Sequence, residues 1–158
     1  MIVGFDMDGV ILDFFGYSFV KRTGLDKILL ARLIRNRFFR QVFYYLIVRV
    51  NKNVKEILIS LKEKGDRIVI ISCNPSPNGF LEKYLRKNSI PFDGLHLWNR
   101  RCPELFFKML AVQREKCDLY IDDRLLVVQF LHTHLQAKCK LVHFKSQRMP
   151  ELKKIFYL

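Results

Sequence analysis

The chain alternates short apolar runs with amphipathic helical stretches, and the clearest runs stop abruptly at an acid or a hydroxyl. Ile2, Val3 and Phe5 lead into Asp6-Met7-Asp8-Gly9. Arg67 to Ser72 is β-branched and stops at Ser72-Cys73-Asn74-Pro75. Asp93 to Trp98 is a third run, the one starting at Leu119 ends in Asp122-Asp123-Arg124, and Leu141 to Phe144 is the last. Helical periods fill the gaps. In the first of them Asn53 with Glu56 fits a capping box, Val54, Ile57, Leu58 and Leu61 make one apolar stripe, and Gly65 fits the C-terminal cap. Further helices are expected over about 79–87, 104–116 and 125–135. Strand and helix in this alternation imply an α/β fold, a doubly wound and mostly parallel sheet of Rossmann-like type. At 158 residues, half of them apolar, the chain fits a single domain, 1–158.

In such sheets ligands bind just beyond the carboxyl ends of the strands. Asp6 and Asp8 fall there, two residues apart, with no base beside them. Like charges at that spacing repel unless a cation or a shared proton intervenes. The pair therefore points to metal-assisted chemistry on an anionic substrate. Asp-Gly also marks turns and Asp caps helices, so the fragment alone favours a turn. A calcium loop fails on spacing: counted from Asp6, Ile11 stands where Gly is needed and Tyr17 where Glu is needed.

Four elements in order carry a resemblance to the haloacid dehalogenase-like superfamily of phosphotransferases. Asp6-Met7-Asp8-Gly9-Val10 resembles its first motif, Ser72 its second, Lys108 its third and Asp122-Asp123 its acidic fourth. The resemblance spans Met1 to about Phe144. It implies that the first and fourth main strands lie side by side. It implies Mg²⁺ held by the Asp6 carboxylate, the Asp8 carbonyl and one acid of the fourth motif, Asp123 directly with Asp122 behind it. It implies Asp6 as nucleophile, forming an aspartyl-phosphate, and Asp8 as the acid and then the base. Ser72 and Lys108 would hold the phosphoryl oxygens, with Cys73 and Asn74 completing that loop. The family's pumping ATPases carry Thr where this chain has Asp8, so the phosphatase branch is implied. Without that context Ser72 reads as a turn hydroxyl and Lys108 as a solvated helix residue.

The net charge is +13 and the pI near 9.8, which favours anionic partners such as nucleotides or nucleic acid. A simply Lys-rich surface is the plain alternative. The family inserts a cap after its first strand, which implies a small helical cap over 14–51. Nine basic residues between Lys21 and Lys52 face Asp26 alone, with Phe and Tyr interleaved. Such a surface suits bases and phosphates, although most of these rings fit equally well as packing. Cys73, Cys102, Cys117 and Cys139 show no C-x-x-C spacing. With no signal peptide they read as reduced thiols of a cytoplasmic protein. His132 and His134, two apart on an expected helix, do not share a face and do not read as a metal site. The run Val42 to Val48, flanked by Arg40 and Arg49, is too short to span a membrane.

These readings converge on a Mg²⁺-dependent phosphomonoester hydrolase acting on a nucleotide or similar small phosphate. Two branches compete. Asp122-Asp123-Arg124 with Val127-Val128 resembles polynucleotide 3′-phosphatases, and Phe80 to Leu97 resembles both those enzymes and small 5′-nucleotidases. Lys108, fourteen residues before Asp122, fits the nucleotidase branch. Asn74 departs from both, which carry an Arg at that place. No Walker A sequence is present, so no kinase is implied. A nucleic-acid-binding module without catalysis is the alternative of another class.

Overall fold

The computed structural model describes residues 1–14, 48–74, 79–135, 138–145 and 154–156. In chain order it contains β1 (Ile2–Asp6), β2 (Leu12–Phe14), β3 (Val48–Val50), α1 (Lys52–Glu63), β4 (Arg67–Ser72), α2 (Phe80–Lys87), β5 (Gly94–Leu97), α3 (Glu104–Glu115), β6 (Leu119–Asp122), α4 (Leu125–Leu135) and β7 (Lys140–His143). Five strands form one parallel sheet in the order β5-β4-β1-β6-β7. The chain runs outward from β1 through β4 to β5, then crosses back to β6 and β7. That reversal beside β1 is the switch point at which such sheets bind ligands.

Alternate side chains of each strand serve the two faces. Ile68 and Ile70 of β4 pack with Val54, Ile57, Leu58 and Leu61 of α1 and Leu81 and Leu85 of α2. Val69 and Ile71 pack on the other face with Ala111 and Val112 of α3 and Val127 and Leu131 of α4. The sheet is covered on both sides, so its central strands are nearly continuous apolar runs. Met1 and Arg67 start the two strands together, since the Arg67 N–H donates to the Met1 carbonyl at 2.9 Å.

The start of α1 differs from the expected capping box. Asn51 is the cap: its side chain accepts from the Val54 N–H at 3.3 Å. The backbone N–H of Asn51 is tied to the Ile11 carbonyl at 2.9 Å, which fixes the helix start two residues before Asn53. Gly65, at φ +81°, follows the C-terminus as expected. The Asp66 N–H reaches back to the Leu61 carbonyl, closing a Schellman turn. Most of the expected cap over 14–51 falls on residues 15–47, outside the described residues. Its two ends, β2 and β3, pair antiparallel, with Asp13 opposite Arg49. No helix among the described residues is long and apolar enough to cross a membrane.

Asp93, part of the Phe92-Asp93 stretch, clips the edge of the sheet opposite the strand tips. Its carboxylate accepts from the Ile68 N–H at 2.8 Å and from Lys62 Nζ at 2.5 Å. Burial pushes its pKa upward, but these bonds prevail and hold it below the usual carboxylate value. A lowered acid contributes stability above its unfolded pKa and loses it as pH falls through the folded one. Asp93→Asn is therefore expected to unfold at lower urea than wild type near neutral pH. The gap should close as the pH is lowered below the carboxylate range, as denaturation curves at several pH values would show.

Candidate active site

Asp6 ends β1 and Asp8 lies two residues beyond, Ser72 ends β4, and Asp122 ends β6 with Asp123 next. Because β1 lies between β4 and β6, all three tips converge on one edge. Lys108 enters from α3, on the second turn. The sequence expectation that the first and fourth main strands are neighbours holds, as β1 pairs directly with β6.

Lys108 is 1% exposed and bridges two of the acids. Its Nζ lies 2.9 Å from Asp6 Oδ1 and 2.6 Å from Asp122 Oδ2. An ammonium has three N–H bonds, so one remains for a further acceptor. Burial pulls the Lys108 pKa down, but the Asp6 and Asp122 carboxylates outweigh it and hold it above its ordinary value. The ammonium is firmly charged.

Asp122 is fully committed. Its Oδ2 accepts from Lys108 and from the Tyr120 hydroxyl at 2.9 Å, and its Oδ1 from the Arg124 N–H at 2.9 Å. Tyr120 belongs to none of the four sequence motifs, although a polar tip between Leu119 and Ile121 is a usable signal. Asp123 contrasts with its neighbour. Its Oδ1 is buried without a hydrogen-bond partner, as is Asp8 Oδ1. Burial first, and then the Asp122 charge, push the Asp123 carboxyl upward. The His143 ring holds its backbone, with Nε2 3.0 Å from the Asp123 carbonyl oxygen.

Gly9 explains how Asp123 fits. It adopts φ +86°, and a Cβ there would lie 2.1 Å from Asp123 Oδ2. Only glycine accommodates both the backbone conformation and the neighbouring carboxylate. The Gly9 N–H donates to the Leu12 carbonyl at 2.8 Å, and the Ile11 and Leu12 N–H groups both reach the Met7 carbonyl. The loop carrying Asp8 is thus internally fixed.

Ser72 is fully buried. Its hydroxyl donates to Asp8 Oδ2 at 3.3 Å and accepts from the Asn74 N–H at 3.0 Å. Burial pushes the Asp8 carboxyl up to about 6, with hydrogen bonds from Ser72 and Asn74 working against it. Burial likewise pushes Asp6 upward, with Lys108 opposing and Asp122 adding to the rise. Cys73 points elsewhere: its Sγ lies 3.9 Å from the Glu104 carbonyl oxygen, and burial raises the thiol to about 12. Glu104 itself pairs with Arg124 across the mouth of α3 and α4. His132 and His134 lie on α4 as expected, and His134 stacks on Phe130 at 4.1 Å.

Lys108 thus pairs with two of the four carboxylates at the strand tips, Asp6 and Asp122, and makes no ion pair with Asp8 or Asp123. Oxygens of Asp6, Asp122 and Asp123 come within 4.8 Å of one another. An all-oxygen donor set with two orphaned buried oxygens fits a hard divalent cation such as Mg²⁺.

No family model and no curated protein matches the chain. Solved structures do. A chain of the Pnkp1/Rnl/Hen1 RNA repair complex superimposes with a TM-score of 0.61 at 18% identity, over 90% of this chain and 42% of that one. This chain therefore spans less than half the length of the repair-complex protein. A hydrolase from Streptococcus pneumoniae TIGR4 matches with a TM-score of 0.61 at 16% identity, over 99% of this chain and 98% of that one. A HAD family enzyme from Bacteroides thetaiotaomicron, an aspartate-to-alanine mutant in complex with magnesium and inorganic phosphate, matches at 0.55 and 13% identity, over 91% and 93%. The chain has the haloacid dehalogenase-like fold.

Proposed function

We propose that the protein is a Mg²⁺-dependent phosphomonoester hydrolase that works through an aspartyl-phosphate on Asp6. The observation that carries this reading is the pair of orphaned buried oxygens, on Asp8 and Asp123, beside the Lys108-bridged Asp6. In this reading Asp6, the Asp8 backbone carbonyl and Asp123 hold the ion. Asp122 serves instead to fix Lys108, since each of its oxygens already accepts hydrogen bonds. The bound ion supplies charge neutralisation for the transferring phosphoryl group.

The chain's own residues do the rest. An Asp6 oxygen attacks phosphorus as the ester P–O bond breaks, and the leaving oxygen takes the Asp8 proton. Water then attacks the Asp6-bound phosphorus, Asp8 accepts its proton, and the P–O bond to Asp6 breaks to release phosphate. A carboxyl near 6 can hold a proton for the first step and take one back in the second. Lys108, through its remaining N–H, and the Ser72 loop with Asn74 bear on the phosphoryl oxygens. Cys73 contributes backbone rather than thiol, given the direction of its Sγ.

The substrate in this reading is a nucleotide or a similar small phosphate, and four free thiols fit a cytoplasmic setting. A polynucleotide 3′-phosphate is the second reading, supported by the likeness to the RNA repair chain and by the +13 charge. The test is phosphate release from nucleoside 5′- and 3′-monophosphates, sugar phosphates and a 3′-phosphorylated oligonucleotide, with Mg²⁺ or chelator. Turnover with Mg²⁺ alone supports the reading, and the preferred member selects between the substrates. A folded protein that binds nucleic acid and turns over nothing on the panel is a binding module instead.

Gly9→Ala tests the ion site by itself. A methyl group aimed at Asp123 displaces that carboxylate, so the Mg²⁺ concentration for half-maximal thermal stabilisation should rise about 10–100-fold. An unchanged Mg²⁺ titration in this variant would remove Asp123 from the ligand set.

A further inference from the structure

Asp122 and Asp123 are neighbours in the chain, yet their carboxylates are held in opposite ways. Asp122 accepts from Lys108, from the Tyr120 hydroxyl and from the Arg124 N–H. Asp123 Oδ1 accepts from nothing, and among the described residues no other residue donates to the Asp123 carboxylate. Gly9 leaves room for that carboxylate without holding it. Its direction is therefore set by its own backbone. β7 grips that backbone at two successive carbonyls: the Phe144 N–H donates to the Asp122 carbonyl at 2.8 Å, and His143 Nε2 lies 3.0 Å from the Asp123 carbonyl oxygen. A carbonyl only accepts, so the bond assigns the proton to Nε2. The neutral Nε2–H ring and the imidazolium both supply it, so the contact does not depend on the charge of the ring. The tip of β7 is itself anchored, with His143 in register with Asp122 and Phe144 buried in the core.

We infer that His143 is a positioning residue for the ion site: by holding the Asp123 carbonyl it keeps the Asp123 carboxylate turned toward Asp6. The inference rests on the reading of Asp123 as an ion ligand. Strand pairing does not need the ring, because β7 pairs with β6 through the backbone along its whole length, Lys140 to His143. What the ring adds lies beyond the strand, at the carbonyl of the one acid whose carboxylate no other residue holds. Without that bond the Asp123 peptide is free to turn and carries its carboxylate with it. Hydrogen bonds that orient ligating residues are worth about 10–100-fold in metal affinity.

The test is a titration with Mg²⁺ alone, without substrate, read by thermal stabilisation and by calorimetry on wild type, His143→Gln and His143→Phe. Gln keeps an N–H donor on a side chain of similar reach, whereas Phe keeps a ring of similar size and has no donor. His143→Phe should need at least about tenfold more Mg²⁺ for half-maximal stabilisation, while His143→Gln stays near wild type. Urea midpoints in chelator should be similar for all three. A ring that merely packs predicts the reverse order: His143→Gln loses stability in chelator, and neither variant shifts the Mg²⁺ titration. That order, or matching titrations for wild type and His143→Phe, would overturn the role of His143 and leave the ion site standing. A wild type that binds no Mg²⁺ would overturn the ion reading and this inference with it. Should His143→Phe not fold, His143→Leu, smaller and equally without a donor, takes its place with the same expectation.

Discussion

Asp6→Asn is expected to lower Mg²⁺-dependent phosphate release by at least about a thousandfold while the chain stays folded. The substitution keeps the side-chain shape and removes the nucleophilic oxygen. Lys108 retains its 2.6 Å contact to Asp122, so the buried ammonium is not stranded. Asp8→Asn should fail differently. A nitrophenolate leaving group needs no proton, so the first step survives on nitrophenyl phosphate, whereas alkyl phosphates lose it. The second step has no base in either case. The variant should therefore release about one equivalent of nitrophenolate per site and stall, with phosphate attached to Asp6. Stopped-flow absorbance and mass spectrometry of the quenched protein read both features. Full turnover by Asp6→Asn, or steady turnover without a burst by Asp8→Asn, would reject the two-step mechanism.

The parallel sheet is legible in the sequence because its strands are buried on both faces and end at polar tips. Ile68 to Ile71 shows this directly: four consecutive apolar residues serve two cores and stop at Ser72. The order of strands follows from the resemblance rather than from the run lengths, and the β1–β6 pairing bears it out. The short ribbon of β2 and β3 is not legible. Three residues each give no measurable period, and what fixes them is pairing across a long separation in sequence. Asn51 against Asn53 is a case of tertiary override. Both are good caps, and the hydrogen bond from Asn51 to Ile11 decides between them. In the candidate site, types and positions are legible and geometry is not. Spacing places Lys108 one helix before Asp122, but nothing in spacing shows that its amine bridges to Asp6, or that Asp122 and not Asp123 receives it. The role of Gly9 is likewise three-dimensional, since its closest neighbour is Asp123, far along the chain.

Lys108→Met is expected to cost about 3–5 kcal/mol of stability in the absence of divalent cation, the size associated with stranding buried charge. Methionine matches much of the volume, so packing is nearly kept and the loss is electrostatic. Two carboxylates, Asp6 at 4% exposure and Asp122 at 0%, would then face each other without the ammonium between them. Asp122 would keep the Tyr120 hydroxyl and the Arg124 N–H, but Asp6 has no comparable set of donors among the described residues. Two further arms separate charge from shape. Asp122→Asn added to Lys108→Met removes one of the stranded charges, so the double variant should recover part of the loss, a coupling that a double-mutant cycle reads directly. Mg²⁺ should also stabilise Lys108→Met more than wild type, because the ion replaces the missing positive charge beside Asp6. Thermal and urea denaturation with and without Mg²⁺ measure all of this. A loss below about 1 kcal/mol, or no recovery in the double variant, would show that the carboxylates protonate or find water at little cost. Lys108 would then be a ligand for the phosphoryl group alone, and the architecture of the strand tips would not depend on it.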